Sequence, residues 1–276
     1  MVVSNRAAPG FQTICGYLID LDGTVYRGEA PVPHAGAALR VVRSRGRRLL
    51  FISNNPLYSR KDYAEKLSWL GIPTAERDVI NSSFVLARHL AREAPGAKVF
   101  ALGEPPLLEE LRRAGLTLTE EPREIEYVVA AFDRTFDYRK LDIAFQALQR
   151  GAHFYATNPD RTCPTEEGEI PDAAAVIAAL EAASGRKVER VFGKPSAYMV
   201  EMALEVLGLP PQACALVGDR LETDIRMAKE HGLTAILVLT GVTRPEDLAH
   251  SPIQPDYVIP SIAELPELDA RLGGGK

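Results

Sequence analysis

Short apolar runs alternate along this chain with longer segments in which apolar residues recur at the spacing of a helix. The apolar runs end in Gly, Asp or Asn, as strands do where they meet a turn. The first three segments are the predicted strand GYLIDLDG, the predicted helix HAGAALRVVRSRG and the predicted strand RRLLFISNN. A strand, a helix and a second strand in this order form a βαβ unit, so the pattern predicts a parallel sheet with helices packed on it.

The same alternation returns in the last third of the chain. The predicted elements there are the strand RVFGKP, the helix SAYMVEMALEVLG, the strand CALVGD, the helix TDIRMAKEHG and the strands AILVLTG and DYVIP. The first of these helices has one apolar face, formed by Met199, Met202, Ala203, Val206 and Leu207. Gly208 follows at the position where glycine commonly ends a helix. We assign these elements to the same domain as the first βαβ unit.

Residues 96–186 repeat the alternation of strands and helices on their own. The predicted elements are KVFALG, PPLLEELRRAG, EYVVAAF, YRKLDIAFQALQRG, HFYATN and DAAAVIAALEAASG. Asp172 is the expected N-cap of the last helix, and Gly185 is expected to end it. We therefore predict a discontinuous core domain, residues 1–95 plus 187–276, with a second α/β domain at 96–186 inserted in it.

Composition and charge narrow the choice of partner. The 276 residues are 46% hydrophobic and 25% charged, as in ordinary globular proteins, and the formal net charge is −5. This acidic balance argues against a nucleic acid polymer or an anionic membrane as the partner, and it leaves room for a local basic pocket that holds a small anion. No run approaches the roughly 18 apolar residues of a membrane span, and residues 1–13 lack the apolar centre of a signal peptide. We expect a cytoplasmic protein.

The clearest chemical signal is a pair of acids after the first strand. Asp20 and Asp22, in the segment DLDGT, directly follow an apolar run. Two carboxylates at the carboxyl end of a parallel strand reach one site if the chain turns between them, and ligands bind at that edge of the sheet. Gly23 permits a tight turn and a close approach of the backbone to an anion. An Asp-Gly pair alone is more commonly only a turn, but DLDGT after a buried strand is a much rarer pattern.

A second pair of acids follows a later strand. Asp219 and Asp224 lie in the segment GDRLETD, which comes directly after the apolar residues ALV. Together with Asp20 and Asp22 they make four carboxylates, which would repel one another strongly without a cation. A site made only of oxygen ligands suits Mg²⁺. The alternative is that Asp224 serves only as the N-cap of the next helix.

Two further motifs also follow predicted strands. Ser53, Asn54 and Asn55 come after LLFIS, where small hydrogen-bonding side chains and backbone N–H groups can hold phosphoryl oxygens. A turn or a helix cap is the simpler interpretation of this segment taken alone. Lys194, in GKP, can place one positive charge on a phosphate or an acidic nucleophile, although a lysine here is more commonly a surface residue. Pro195 is expected in the first turn of the helix that follows.

Taken in order, DLDGT, SNN, GKP and GDRLETD resemble the four motifs of the haloacid dehalogenase superfamily of phosphotransferases. The insertion between the second and third motifs is similar to a type IIA cap, and the segments ATNPD and VFGKPS resemble the NagD-type, para-nitrophenylphosphatase-like branch. The similarity covers roughly residues 14–268. It implies a Rossmann-like, doubly wound parallel-sheet core with an inserted α/β cap domain. Members of this branch are often dimers, so a homodimer formed through the cap is a further expectation from the resemblance.

The resemblance implies a role for each motif residue. Asp20 is the expected nucleophile and forms an aspartyl-phosphate. Asp22 is expected to protonate the leaving oxygen and then to activate water. The side chain of Ser53, the N–H of Asn54 and the ammonium group of Lys194 are expected to neutralise the phosphoryl oxygens.

The resemblance also implies a bound metal ion and a reaction. Mg²⁺ is expected to be held by the Asp20 carboxylate, the Asp22 backbone carbonyl and Asp219, with Asp224 acting through water. The expected function is Mg²⁺-dependent hydrolysis of small phosphomonoesters, whether sugar phosphates, polyol phosphates or nucleotides. Two alternatives stay open: a phosphotransferase or phosphomutase of the same fold, and a catalytically silent binding protein.

The predicted cap carries the candidates for substrate specificity. Thr157, Asn158 and Asp160 end a predicted cap strand, and they either contact the substrate or form a turn. One departure from the branch pattern lies in the cap loop, where a Pro-Gly-x-Gly sequence is replaced by PDAA at residues 171–174. Asp172 in that loop either faces the substrate or serves only as a helix N-cap.

Overall fold

The computed structural model describes residues 14–165 and 168–272, and this part of the chain divides into two compact units. Unit 1 takes in residues 14–53, 61–80 and 199–272, and unit 2 takes in residues 54–60, 81–165 and 168–198. Residues 1–13, in which the sequence predicts no signal peptide, lie outside the described part. Unit 2 extends beyond the inserted domain expected at 96–186, and those domain bounds stay a prediction.

The strands and helices follow the apolar pattern. In chain order the strands are β1 Gly16–Asp20, β2 Tyr26–Arg27, β3 Ala30–Pro31, β4 Arg48–Ser53, β5 Val79–Asn81, β6 Lys98–Leu102, β7 Thr117–Leu118, β8 Tyr127–Ala130, β9 His153–Ala156, β10 Thr162–Thr165, β11 Gly168–Pro171, β12 Arg190–Val191, β13 Cys214–Gly218, β14 Thr234–Val238 and β15 Tyr257–Ile259. The α-helices are α1 Ala35–Ser44, α2 Arg60–Trp69, α3 Ser82–Glu93, α4 Pro105–Arg113, α5 Tyr138–Gln149, α6 Ala173–Ser184, α7 Ala197–Leu207, α8 Arg226–Glu230, α9 Pro245–His250 and α10 Leu265–Leu272. A π-helical turn, Leu221–Ile225, precedes α8, and short 3₁₀ helices are formed by Glu76–Asp78, Pro211–Ala213 and Ile262–Glu264. Within the described residues, none of the helices has both the length and the apolar character needed to cross a bilayer.

Unit 1 is built on a six-stranded sheet in the order β15-β14-β13-β1-β4-β5. β1 pairs in parallel with β4 on one side and with β13 on the other, and its five residues are all buried. Burial on both faces explains why this strand reads as a continuous apolar run. The chain builds the β4 side first and returns later to build the β13 side, so the sheet is doubly wound, as predicted. Ligands of such sheets bind at the carboxyl edge where the strand order reverses, here beside the end of β1.

Unit 2 contains a second parallel sheet, five-stranded in the order β12-β9-β8-β6-β7, and the antiparallel hairpin β10-β11. β8 is buried along its whole length, and the hydrophobic core of unit 2 includes Val128 and Phe154. α6 begins and ends as predicted, because Asp172 is its N-cap and Gly185 ends it in the left-handed conformation, with φ at 71°. These findings confirm the N-cap interpretation of Asp172.

The start of α7 differs from the prediction. We expected Pro195 in the first helical turn, but α7 begins at Ala197. The N–H of Ser196 donates to the carbonyl oxygen of Gly193 at 3.0 Å, which closes a turn over Lys194 and Pro195. Because these residues form a turn of their own, the helix starts after them, and the prediction for Pro195 was wrong.

The carboxylate of Asp269, on α10, joins three parts of unit 1. It is fully buried and accepts hydrogen bonds from the Tyr17 hydroxyl at 2.8 Å, from Nε of Arg47 at 2.8 Å and from Nη1 of Arg45 at 3.0 Å. Burial, followed by the charge of Asp269, raises the pKa of Tyr17, so the phenol stays protonated and donates. This carboxylate thereby ties α10 to β1 and to the turn between α1 and β4.

We expect Asp269→Ala to lower the free energy of unfolding by about 3 kcal/mol, because removing one partner of a buried ion pair leaves the other partner desolvated. Asp269→Asn should cost less, since it still accepts a hydrogen bond from Tyr17. Urea unfolding followed by circular dichroism measures both variants. As a matched control, Arg45→Ala removes the more exposed partner and should cost about 1 kcal/mol or less. An Asp269→Ala variant as stable as the Arg45→Ala control would contradict the role of this carboxylate.

Candidate active site

Three buried carboxylates of unit 1 come together at the carboxyl edge of its sheet. We call Asp20, Asp219 and Asp224 the acidic cluster. Asp20 ends β1, Asp219 follows the last residue of β13, and Asp224 lies in the π-helical turn. One oxygen of each carboxylate lies within 4.8 Å of the other two, and the residues are only 6%, 1% and 0% exposed. The structure thus brings together three of the four predicted acids.

Three glycines let the backbone pass close to these carboxylates. A Cβ atom at Gly23, whose φ is +85°, would lie 2.5 Å from Oδ2 of Asp219, and one at Gly241 would lie 1.8 Å from the same oxygen. A Cβ at Gly218 would lie 2.4 Å from Cγ of Asp224. A side chain at any of these positions would displace a carboxylate. Gly23 thus lies close to the carboxylate of Asp219, and its approach to a bound anion stays a prediction. Gly241, at the end of the predicted strand AILVLTG, was not recognised from the sequence.

Each carboxylate of the acidic cluster accepts a hydrogen bond from its own part of the fold. The Thr24 hydroxyl donates to Oδ2 of Asp20 at 3.2 Å, and the N–H of Val242 donates to Oδ2 of Asp219 at 2.6 Å. The N–H of Arg220 donates to Oδ2 of Asp224 at 3.1 Å. These bonds orient the carboxylates before any ligand arrives.

Asp224 does not serve as a helix N-cap. α8 begins at Arg226, and its N-cap residue is Ile225. The carboxylate of Asp224 is instead directed at the N–H of Arg220, on the loop that follows Asp219. The N-cap alternative for Asp224 was therefore wrong.

Asp22, unlike the three acids of the acidic cluster, is exposed to solvent. Its side chain is exposed, whereas its backbone pairs with Tyr26. The N–H of Gly23 donates to the carbonyl oxygen of Tyr26 at 2.8 Å, which fixes the turn after Asp22. Its carboxylate is therefore accessible from solvent at the same edge of unit 1.

The donor set of the acidic cluster fits a hard divalent cation. Three buried like charges so close together raise the energy of the site unless positive charge offsets them. Carboxylate oxygens are the ligands that Mg²⁺ and Ca²⁺ prefer. Asp20, Asp219 and Asp224 are thus the residues of unit 1 that could hold such a cation.

Ser53 lies at the same edge of the sheet. It is the last residue of β4, and the register pairs Asp20 with Ile52, so Ser53 comes directly after the residue opposite Asp20. Ser53 is 4% exposed, and its hydroxyl lies 3.2 Å from the hydroxyl of Tyr63. Tyr63, on α2, was not recognised from the sequence because nothing local links it to the motif.

In unit 2, the side chain of Asn54 holds the backbone of Lys194. The N–H of Lys194 donates to Oδ1 of Asn54 at 2.6 Å, and Nδ2 of Asn54 donates to the carbonyl oxygen of Lys194 at 3.1 Å. A Cβ at Gly193 would lie 2.6 Å from Oδ1 of Asn54, which explains the glycine before the lysine. Lys194 is only 4% exposed, so the surface-residue interpretation of this lysine was wrong.

The candidate cap residues form one hydrogen-bonded group in unit 2. Nδ2 of Asn158 donates to Oδ2 of Asp160 at 2.9 Å and to Oδ1 of Asp172 at 3.0 Å. Nδ2 of Asn54 donates to the same oxygen of Asp160 at 2.8 Å. Asn158 and Thr157 are 0% exposed, whereas Asp160 is partly exposed. Asp160 is therefore accessible to a ligand, and Asn158 is a residue that holds it.

Two family models match the chain. The model described as haloacid dehalogenase-like hydrolase matches residues 17–117, and the model described as HAD-hydrolase-like matches residues 191–265. The sugar-phosphatase AraL of Bacillus subtilis is 40% identical over 92% of this chain and 92% of its own length. The chain belongs to the haloacid dehalogenase-like hydrolase family.

A second relative of this hydrolase is the 5'-nucleotidase YutF of Bacillus subtilis, which is 35% identical over 92% of this chain and 98% of its own length. Both relatives are named for the hydrolysis of phosphoric monoesters. This agreement confirms the enzyme class predicted from the sequence, a phosphoric monoester hydrolase.

Solved structures of other haloacid dehalogenase-like hydrolases share the fold. The p-nitrophenyl phosphatase from Archaeoglobus fulgidus has a TM-score of 0.89 and 37% identity, over 93% of this chain and 100% of that one. NagD from Escherichia coli has a TM-score of 0.84 and 32% identity, over 92% and 98%. A glycerol phosphate phosphatase from Mycobacterium tuberculosis, in complex with magnesium, has a TM-score of 0.85 and 34% identity, over 92% and 77%. The predicted NagD-type, para-nitrophenylphosphatase-like branch is confirmed.

Proposed function

We propose that this hydrolase is a Mg²⁺-dependent phosphatase of small phosphomonoesters and that it acts through an aspartyl-phosphate on Asp20. The acidic cluster carries the proposal, since it surrounds a buried carboxylate at the end of the central strand with two more carboxylates. The relatives support the substrate class, because they are named for a sugar phosphate, a nucleotide and glycerol phosphate.

In the first proposed step, an oxygen of Asp20 attacks the phosphorus of the substrate and the bond from phosphorus to the leaving oxygen breaks. Asp22 gives its proton to that oxygen, so the alcohol departs neutral. In the second step, Asp22 takes a proton from water while the water oxygen attacks phosphorus and the bond to Asp20 breaks. The exposed carboxylate of Asp22 supports this role, since the leaving alcohol and the water both exchange with solvent.

The phosphoryl oxygens are proposed to be neutralised by the Ser53 hydroxyl, the Asn54 N–H and the Lys194 ammonium group. The burial of Ser53 and Lys194 supports this, because hydrogen bonds and charges act more strongly where water is excluded. Gly23 is proposed to let the backbone approach the same phosphoryl group. The two hydrogen bonds between the side chain of Asn54 and the backbone of Lys194 support a fixed position for that lysine within unit 2.

The proposed holders of Mg²⁺ are Asp20, Asp219, Asp224 and the backbone carbonyl of Asp22. When bound, Mg²⁺ offsets the negative charge of the phosphoryl group and of the carboxylates. The magnesium complex of the Mycobacterium tuberculosis relative supports this choice of cation.

The test of the proposed function is phosphate release from a panel of sugar phosphates, glycerol phosphates, nucleoside monophosphates and para-nitrophenyl phosphate. We expect release with Mg²⁺, loss of release with a chelator, and recovery when Mg²⁺ is added back. Release that persists in the chelator would contradict the metal dependence. Release that requires an added acceptor alcohol would instead identify a phosphotransferase, and Mg²⁺ binding without any turnover would identify a binding protein.

Residues 96–186 are proposed to form the cap, with Asp160 contacting the leaving group and Asn158 holding Asp160. We expect Asp160→Ala to change the ratio of kcat/KM between two metabolite substrates by about tenfold, the usual range for losing one polar contact. The value for para-nitrophenyl phosphate should change less, because its aryl leaving group offers no hydroxyl to Asp160. Glu169→Ala, an exposed acid on β11 of the same unit, is the matched control. An unchanged substrate ranking in Asp160→Ala would refute the specificity role.

The cytoplasmic location and the homodimer through the cap stay predictions from the sequence.

A further inference from the structure

Unit 1 contains a cavity of about 240 Å³ that is lined by four arginines. They are Arg43, Arg47, Arg48 and Arg77. Three of the four come from a stretch of the chain in which five arginines, at positions 40, 43, 45, 47 and 48, fall close together. This concentration of positive charge is unusual in a chain whose net charge is −5.

The positive charge of this arginine cavity is only partly neutralised. Arg47 is bonded to Asp269, and Asp78 is the carboxylate that lines the cavity. The four lining arginines carry four positive charges, whereas Asp78 is the one acidic residue in the lining and Asp269 divides its charge between Arg47 and Arg45, so positive charge is in surplus. Asp78 is itself engaged, because one of its oxygens accepts the N–H of Ala75 at 3.1 Å.

Of the other three arginines, two are bonded to backbone carbonyl oxygens and Arg77 is an exposed residue. Nη1 of Arg43 donates to the carbonyl oxygen of Pro73, and Nη1 of Arg48 donates to that of Leu207. Among residues 14–165 and 168–272, Arg43, Arg48 and Arg77 form no ion pair with a carboxylate. Each arginine keeps donors that a bound anion can use, since a guanidinium group has five N–H donors.

The arginine cavity lies at the opposite edge of the sheet from the acidic cluster. Arg48 is the first residue of β4 and pairs with Gly16, at the amino end of β1, whereas Asp20 is at the carboxyl end. Asp20 lies four positions after Gly16 along the strand, a distance of about 13 Å at the rise of a β-strand. A ligand in this cavity would therefore not occupy the proposed active site.

We propose that the arginine cavity binds a small anion with one or two phosphoryl groups. Guanidinium groups match phosphate oxygens in pairs of parallel hydrogen bonds, and they stay charged at every physiological pH. The volume lies below the range of about 300–1,000 Å³ that is typical of sites for drug-sized ligands, which favours a compact anion. Val206 and Leu207 supply an apolar wall beside the arginines. This binding is independent of the proposed phosphatase activity.

The experiment is calorimetric titration of the full-length protein with pyrophosphate, in chelator and at constant ionic strength. Arg77→Gln is the main variant because Arg77 is exposed and makes no ion pair within the described residues, so its loss should leave the fold intact. We expect Arg77→Gln and Arg43→Gln each to weaken pyrophosphate binding about tenfold, as expected for the loss of a charged hydrogen bond. Thermal unfolding without ligand checks that both variants are folded.

Two control variants distinguish binding in the arginine cavity from binding elsewhere on the protein. Arg226→Gln removes one positive charge from the surface of the same unit, where Arg226 pairs with Glu230, and should leave the affinity within about twofold of wild type. Lys194→Met alters the proposed phosphoryl site and should also leave the affinity for pyrophosphate unchanged. The inference would be overturned if wild type bound no pyrophosphate, if Arg77→Gln bound it as tightly as wild type, or if either control lost as much affinity as Arg77→Gln.

Discussion

Replacing Asp20 by asparagine is expected to lower kcat for every phosphomonoester by at least about 10³-fold, because an amide cannot form the acyl-phosphate bond on which the proposed reaction depends. Asparagine has the shape of aspartate and still accepts the hydrogen bond from the Thr24 hydroxyl, so the fold should be retained. The measurement is phosphate release with Mg²⁺, alongside a thermal unfolding curve of the same sample.

The matched variant Asp22→Asn distinguishes the two proposed roles. It keeps the nucleophile but removes the group that activates water, so the aspartyl-phosphate should accumulate with para-nitrophenyl phosphate, whose leaving group needs no proton. Intact-mass spectrometry after acid quench should detect one added phosphoryl group on Asp22→Asn. The double variant with Asp20→Asn should carry none. A phosphoryl group on the double variant, or more than about a tenth of wild-type activity in Asp20→Asn, would refute Asp20 as the nucleophile.

The second large effect is expected at Asp219. Asp219→Asn should weaken Mg²⁺ binding by at least about 10²-fold, because it removes one charge and one strong ligand from the acidic cluster. The same change should raise the thermal stability of the metal-free protein, because one of three buried like charges is gone. A change that only loosened the packing would lower the stability of the metal-free protein as well as the affinity for Mg²⁺. The expected rise in metal-free stability therefore distinguishes the loss of a charged ligand from a loss of packing.

Thermal unfolding with and without Mg²⁺ measures both effects in one experiment. Wild type should gain stability as Mg²⁺ is added, since a ligand that binds the folded state stabilises it, and Asp219→Asn should not. Glu230→Gln, which removes an exposed charge from the same unit, should respond to Mg²⁺ like wild type. A full response to Mg²⁺ in Asp219→Asn would place the cation elsewhere.

The positions of the motif residues could be predicted because they depend on local sequence. A buried parallel strand reads as an apolar run, and its carboxyl end is marked by the first polar residues after it. Asp20 at the end of β1, Ser53 at the end of β4 and Asp219 after β13 were all found in this way. Neighbouring parallel strands end at one edge, so the sequence also predicted that these residues lie near one another.

The contacts that hold the motif residues could not be predicted from the sequence. Asn54 and Lys194 are separated by 140 positions, yet the side chain of one binds the backbone of the other. The N–H of Val242, which binds Asp219, belongs to a loop with no recognisable motif. The sequence assigned the backbone N–H of Asn54 to phosphate and had no means to assign its amide side chain to Lys194.

By itself, the sequence determined the α/β architecture, the order of strands and helices, the family and the acids at the strand ends. These follow from hydrophobic periodicity and from short motifs, which are properties of neighbouring residues. Only the tertiary structure decided that Asp22 stays exposed while three other acids are buried together, that Asn158 holds Asp160, and that four arginines line one cavity. The physical reason is that burial and side-chain direction depend on the packing of segments far apart in the chain, as with Tyr17 and Asp269, which are 252 positions apart.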